Sequence, residues 1–162
     1  MEKTATVEKK EAEEKLLQLV TFCLDNEEFA IDILKVQEIN RMMEITKVPK
    51  SPDFVEGVIN LRGKVIPIVD LRKRFGLEIA EYTKKTRIVV VDIEGKIVGL
   101  IVDSVSEVLR LPSDTIEPPP FMVTDINSEY IQGVGKLEDR LLILLNLNNL
   151  FSKRESNELK TF

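Results

Sequence analysis

Histidine and tryptophan are absent from this 162-residue chain, and cysteine occurs once, at Cys23. Such a chain cannot assemble a His/Cys metal site, a Ser-His-Asp triad or a Cys-His nucleophile pair, so most familiar catalytic machinery is excluded. One cysteine forms no intramolecular disulfide and fits a reducing compartment in which the fold rests on its core. Basic charge is also scarce: 23 Lys plus Arg stand against 28 Asp plus Glu, a formal net charge of −5. Phosphate-backbone binding needs a basic face, and single-strand binding needs a basic groove interleaved with stacking aromatics, so no nucleic-acid partner is expected. Glu94-Gly95 and Arg62-Gly63 are isolated turn glycines rather than a phosphate loop, and neither cofactor nor metal is expected. Apolar runs such as 97–102 and 141–145 fall far short of the roughly 18 residues of a membrane span. Residues 1–15 mix Glu and Lys without an apolar stretch, which argues against a signal peptide and for a cytoplasmic protein with no membrane insertion.

What the chain does have is Val, Ile and Leu in runs of four to seven, punctuated by Gly, Pro, Asp and Asn. Short β-branched segments at this spacing point to an all-β barrel or sandwich. Residues 17–24 and 28–33 read as a hairpin through Asp25-Asn26, and 87–93 and 96–102 as another through Glu94-Gly95. The clearest local signal is the hairpin of 55–61 and 64–69 around Arg62-Gly63, where the glycine supplies positive φ. Pro67 lacks an N–H for a ladder, so a sheet edge or barrel corner is expected there. Helix is expected only in part of the charged tail, at 71–75 closed by Gly76, and across 147–160. Residues 117–120, Glu-Pro-Pro-Pro, form a stiff connector.

An internal repeat organises these pieces. Gly57-Val58-Ile59-Asn60-Leu61-Arg62-Gly63-Lys64 and the strand after it match Gly133-Val134-Gly135-Lys136-Leu137-Glu138-Asp139-Arg140 and the strand after that. Ahead of each copy, Val36-Gln37-Glu38-Ile39 corresponds to Val105-Ser106-Glu107-Val108, and behind each, Phe75 corresponds to Phe151. Two similar β-subdomains are expected, with a boundary near residues 80–86, some exchange of terminal segments, and a groove at their junction.

With these segments together, the chain resembles the CheW family of bacterial chemotaxis coupling proteins. The resemblance is carried by Ala30-Ile31-Asp32-Ile33-Leu34-Lys35-Val36-Gln37-Glu38-Ile39, by Asn60-Leu61-Arg62-Gly63 with Pro67-Ile68-Val69-Asp70-Leu71, and by Val98-Gly99-Leu100-Ile101-Val102-Asp103 through Leu109. It covers residues 16–151, leaving a charged tail at 1–15 and an extension at 152–162. It implies two five-stranded Src-homology-3-like barrels packed side by side, with minor short helices and a C-terminal helix. It further implies a non-catalytic adaptor joining the cytoplasmic tips of chemoreceptors to the regulatory domain of the histidine kinase CheA. Other copies of the coupler are implied as ring partners within membrane-associated arrays.

The resemblance assigns receptor contact to Val36, Gly57, Arg62, Gly99 and Val108, and kinase contact to Ile33 and Glu38. For Arg62 the residues add a reason of their own: a guanidinium at a hairpin tip can form a bidentate pair with a partner carboxylate. The alternative is a solvated turn residue. The corresponding tip in the second copy carries Glu138, so the two tips are not expected to serve one partner. Val36 and Val108 read either as groove lining or as ordinary core, and Gly57 and Gly99 either as groove positions or as places where backbones approach closely. Ile33 and Glu38 read equally as an inward core residue and a solvated strand charge. A competing reading is a hydrolase using two of Asp25, Glu27, Glu28, Asp32 and Glu38, which requires a close acidic pair in a pocket.

Overall fold

The computed structural model describes residues 16–118 and 128–162, so the charged tail and the end of the proline connector lie outside the described residues. Eleven strands make up the described chain: β1 (Leu16–Leu24), β2 (Glu27–Asp32), β3 (Val36–Arg41), β4 (Gly57–Leu61), β5 (Lys64–Asp70), β6 (Arg87–Ile93), β7 (Lys96–Val102), β8 (Ser104–Pro112), β9 (Ile116–Glu117), β10 (Ile131–Leu137) and β11 (Arg140–Leu145). Two short helices, α1 (Leu71–Arg74) and α2 (Lys153–Leu159), follow β5 and β11. Strand formation follows the β-branched alternation, and the hairpin at Arg62-Gly63 forms as the sequence suggests. Arg62 (φ 52°) joins Gly63 (φ 84°) in the left-handed region, a pairing that matches the right-handed twist of the strands. Glu94 and Gly95 repeat that geometry, and in both turns a side chain from the preceding strand, Asn60 or Asp92, accepts the glycine N–H at 2.8 Å.

The strands curl into two Src-homology-3-like barrels, one with the order β3-β6-β7-β5-β4 and the other β8-β1-β2-β11-β10-β9. The first is closed by Thr46, which exchanges two backbone bonds with Val58 of β4 (2.9 and 2.8 Å). The repeat is visible in the pairing: β5 runs parallel to β7 in one barrel, as β11 does to β2 in the other. A cut at residues 80–86 does not follow the sheets. Hairpin β1–β2 completes the barrel of the C-terminal strands, and hairpin β6–β7, beyond the cut, belongs with β3–β5. Each parallel pair needs a strand delivered from a distant hairpin, which tight turns cannot supply.

Pro67 also lies elsewhere than expected, since β5 is an interior strand. Val58, its partner on β4, directs its N–H and C=O at Thr46, so β4 asks Pro67 for no donor, and pairing with β7 begins only at Ile68. The proline occupies the point of the strand where an N–H is dispensable. The helix expected over 147–160 is divided into a 3-10 turn, Leu147–Asn149, and α2, because Ser152 starts a new helix with a capping box to Glu155.

Side chains on the two faces of these strands bury in different places. Ile59, Ile66, Ile68, Ile88, Val90 and Ile101 fill the first barrel, and Leu19, Ala30, Leu142 and Leu144 the second. The largest cluster lies between them: Val20, Phe22, Phe29 and Ile31 meet Val69, Val89, Val91, Val98 and Leu100, with Ile143 and Leu145 beside them. The groove expected at the junction is therefore replaced by apolar packing, as the double-sided Val/Ile/Leu runs require. Leu100→Ala in the shared core and Leu144→Ala in one barrel should each cost about 2–5 kcal/mol. Urea titration should show one transition in both variants; two separate transitions would mean that the barrels unfold independently.

Candidate functional site

The hairpin tip of β4–β5 leans toward the edge strand β3, and there the Arg62 guanidinium forms an ion pair with Glu38. Asn40 donates to the other Glu38 oxygen at 2.7 Å. Arg62 and Asn40 together hold the Glu38 carboxyl below its ordinary range, while Arg62 remains 77% exposed. Two residues with different implied partners, separated by 24 positions in sequence, thus form one contact.

Beside this pair lies a cleft of about 480 Å³ whose lining includes Leu61, Lys64, Val65, Lys96, Ile97 and Phe162. Val65 is more than half exposed on its strand. Burial pushes the Lys96 ammonium down, and its Nζ donates to the main-chain oxygen of Phe162 at 3.1 Å. The face combines cations, exposed apolar side chains and one tethered carboxylate, a surface suited to an acidic, partly apolar partner.

The remaining candidate residues are not gathered at this face. Gly99 is buried in the first barrel, where a Cβ would meet Ile68 Cδ1 at 2.5 Å and Ile88 Cγ2 at 2.9 Å. Gly57 is buried at the barrel closure, 2.5 Å from the Thr46 oxygen by the same measure. Neither lines a groove, and a side chain at either position would act by distorting the barrel. Val36 and Ile33 are half-buried against the shared core, and Val108 stands 53% exposed on β8 of the other barrel.

The second barrel repeats the ion pair with different parts. Arg140 donates to Glu107 at 2.7 Å and lies 3.5 Å from Glu28. Glu107 corresponds to Glu38, but the arginine now follows the turn instead of forming its tip.

Of the carboxylates named for an acidic pair, three are engaged elsewhere: Glu38 pairs with Arg62, Asp32 caps the turn Ile33–Lys35 by accepting from Leu34 N–H, and Glu28 faces Arg140. The carboxyl that burial does push up is Asp70, whose oxygens accept from the Arg72 N–H (2.9 Å) and the Tyr82 hydroxyl (3.3 Å) at the start of α1. No group of three or more His, Cys, Asp or Glu able to hold a metal occurs among the described residues.

Arg72 and Arg74 carry roles that sequence reasoning missed. Arg72 forks onto Asp103 (2.7 and 2.6 Å), whose Oδ2 also accepts the Asp25 N–H, tying α1 to the β1–β2 turn of the other barrel. Arg74 grips Glu155 with both nitrogens (2.7 and 2.5 Å), donates to the Leu150 oxygen, and lies over the rings of Phe54, Phe151 and Tyr130. The run Leu71-Arg72-Lys73-Arg74-Phe75 marks a charged helix but not its partners, which lie 31 and 81 positions away.

Two barrels presenting an exposed face of cations and apolar side chains have the character of a binding module. The comparisons make it specific. A family model described as "CheW-like domain" matches residues 18–155. The chemotaxis protein CheW of Klebsiella aerogenes is 41% identical over 151 residues, covering 93% of this chain and 91% of that protein. That of Helicobacter pylori is 38% identical over 145 residues, covering 90% and 87%. The crystal structure of the scaffolding protein TtCheW from Thermoanaerobacter tengcongensis superposes with a TM-score of 0.77 at 43% identity, covering 84% of this chain and 88% of that one. The chain belongs to the CheW family of chemotaxis scaffolds, and it is not an enzyme.

The Arg74 clamp yields a pH-dependent expectation. Its guanidinium, helped by the Ser152 N–H, holds the Glu155 carboxyl below its ordinary value of 4.5. A carboxyl depressed in the folded state stabilises above its unfolded pKa, and that stability is lost as pH falls through the folded value. Glu155→Gln should lower stability by about 1–3 kcal/mol at pH 7. Urea midpoints measured downward from pH 7 should show the difference from the parent shrinking below about pH 4.5.

Proposed function

We propose that this chain couples chemoreceptor signalling tips to the histidine kinase CheA, so that a receptor's conformation governs kinase activity in the receptor array. The observation that carries this reading is the Arg62–Glu38 contact: one ion pair, on an exposed face, joins the position assigned to the receptor with a position assigned to the kinase. Family membership over nearly the whole chain supports it. Arg62 and exposed Val108 then meet the receptor directly, and Ile33 and Glu38 support the kinase contact. Val36 contributes from the shared core, while Gly57 and Gly99 preserve the shape of the first barrel. The working location is the cytoplasm, recruited to membrane-associated arrays, with further copies as ring neighbours. No described helix is long and apolar enough to cross a membrane.

The direct test is CheA autophosphorylation with receptor signalling fragments, with and without this protein. Phosphorylation should change only when all three components are present; a kinase indifferent to the coupler, shown to be folded, would defeat the reading. Arg62→Glu should weaken receptor-fragment binding at least about tenfold, the scale of losing a charge-assisted contact. The same variant should retain its thermal midpoint to within a degree or two, because the side chain is largely in water.

A further inference from the structure

We infer that Asn40 is a positioning residue for receptor recognition: its side-chain amide seats the Glu38 carboxylate on β3, and that seat holds the Arg62 guanidinium where a partner carboxylate can reach its remaining N–H donors. On the coupling reading above, on which this role rests, Arg62 meets the receptor directly. Glu38 and Asn40 lie two positions apart in a regular stretch of β3, opposite Val90 and Ile88 of β6, so their side chains share one face of the strand. Asn40 Nδ2 donates to Glu38 Oε1 at 2.7 Å, while Arg62 Nη2 donates to Oε2. One carboxylate thus joins two donors, one from its own strand and one from the facing hairpin. Because the neutral amide satisfies Oε1, the pair draws only one nitrogen from Arg62. A guanidinium has further N–H donors to offer, and among the described residues those of Arg62 meet no second carboxylate.

The second barrel supplies a comparison within the same chain. There the residue corresponding to Asn40 is Leu109, which has no side-chain donor. Glu107, in the place of Glu38, is 47% exposed against 24%, and Arg140 spans two carboxylates, Glu107 and Glu28, at 39% exposure against 77% for Arg62. The bridging group is exchanged between the barrels: a carboxylate between two donors in the first, a guanidinium between two carboxylates in the second. The first arrangement draws the glutamate in and leaves the arginine outward, as a tip that presents a cation requires. A long side chain on an exposed turn loses rotamer freedom when it binds, and a seat that fixes it beforehand lowers that cost.

The experiment is titration of a chemoreceptor signalling-tip fragment against the full chain, Asn40→Leu, Asn40→Asp, Glu38→Ala, Glu38→Ala combined with Asn40→Leu, and Arg62→Glu. Asn40→Leu, which installs the residue of the second barrel, should weaken binding about threefold to fivefold, the scale of one exposed charged contact. In the Glu38→Ala background the same change should bring no further loss, since Asn40 acts through that carboxylate. The charged side chains that share the cleft with Glu38 are the cations Arg62, Lys64 and Lys96, and the substitution leaves all three in place. NMR of the Glu38 carboxyl carbon from pH 7 downward should therefore show its titration moving up toward the ordinary 4.5 in Asn40→Leu, a change that repacking elsewhere on the strand would not produce. Asn40→Asp, alike in shape but without the donor, gives the same binding comparison should leucine disturb the strand. Unchanged affinity in both Asn40 variants, an unmoved Glu38 titration, or an equal loss in the Glu38→Ala background overturns the positioning role. Full affinity in Arg62→Glu instead overturns the coupling reading, and a fragment that binds no version overturns both.

Discussion

Everything in this molecule depends on the apolar layer between the barrels. Strands β1, β2, β5, β6, β7 and β11 each bury one face inside their own barrel and the other against the neighbouring barrel. Two small barrels of this size would each be marginal alone, because little of a short chain's surface can be buried. Sharing one large core converts them into a single cooperative object, and it fixes their mutual orientation without an interface of separate design. The ion pairs Arg72–Asp103 and Arg74–Glu155 lie at the margins of this layer. Arg74–Glu155 joins α1 to α2, and Arg72–Asp103 reaches the β1–β2 turn through the Asp25 N–H; their partial burial makes them more selective of geometry than exposed pairs are.

The exchanged hairpins follow from the same constraint. A parallel pair such as β5–β7 cannot be closed by a tight turn, so each barrel must obtain that strand from elsewhere in the chain. Drawing β1–β2 into the C-terminal barrel and β6–β7 into the N-terminal one threads the chain twice through the junction. Separation of the barrels would then require unfolding rather than hinge motion. A scaffold gains from such rigidity, because little binding energy is spent on ordering it.

Much of this was legible in the sequence, and the failures have physical causes. The three hairpins declared themselves through two-residue turns, and Val/Ile/Leu runs of four to seven marked the strands, whose burial on both faces is shown only by the structure. Those same runs argue against an open groove between subdomains, since apolar surface on both faces has to be covered. Pro67 read as an edge residue because sequence shows the missing donor but not that Thr46 relieves β4 of needing it. Gly99 and Gly57 had two readings, and only the positions of Ile68 and Thr46 decide for close packing. Arg62 was found from its turn; its partner Glu38 was named for a different reason, and nothing in the spacing of 24 residues joins them.

The repeat also shows how one fold yields two unlike surfaces. Both barrels join their edge-strand glutamate, Glu38 or Glu107, to an arginine of the facing hairpin. In the first barrel that arginine is the turn residue, forced outward by positive φ and left largely in water. In the second it follows the turn, pairs with Glu28 and Glu107 while about half as exposed, and leaves Glu138 and Asp139 at the tip. The glutamate–arginine pairing is kept in both barrels, whereas moving the arginine two positions reverses the charge each tip offers. A scaffold that must distinguish partners while presenting two related barrels needs an asymmetry of this kind, since like charge at both tips would let one acidic partner occupy either.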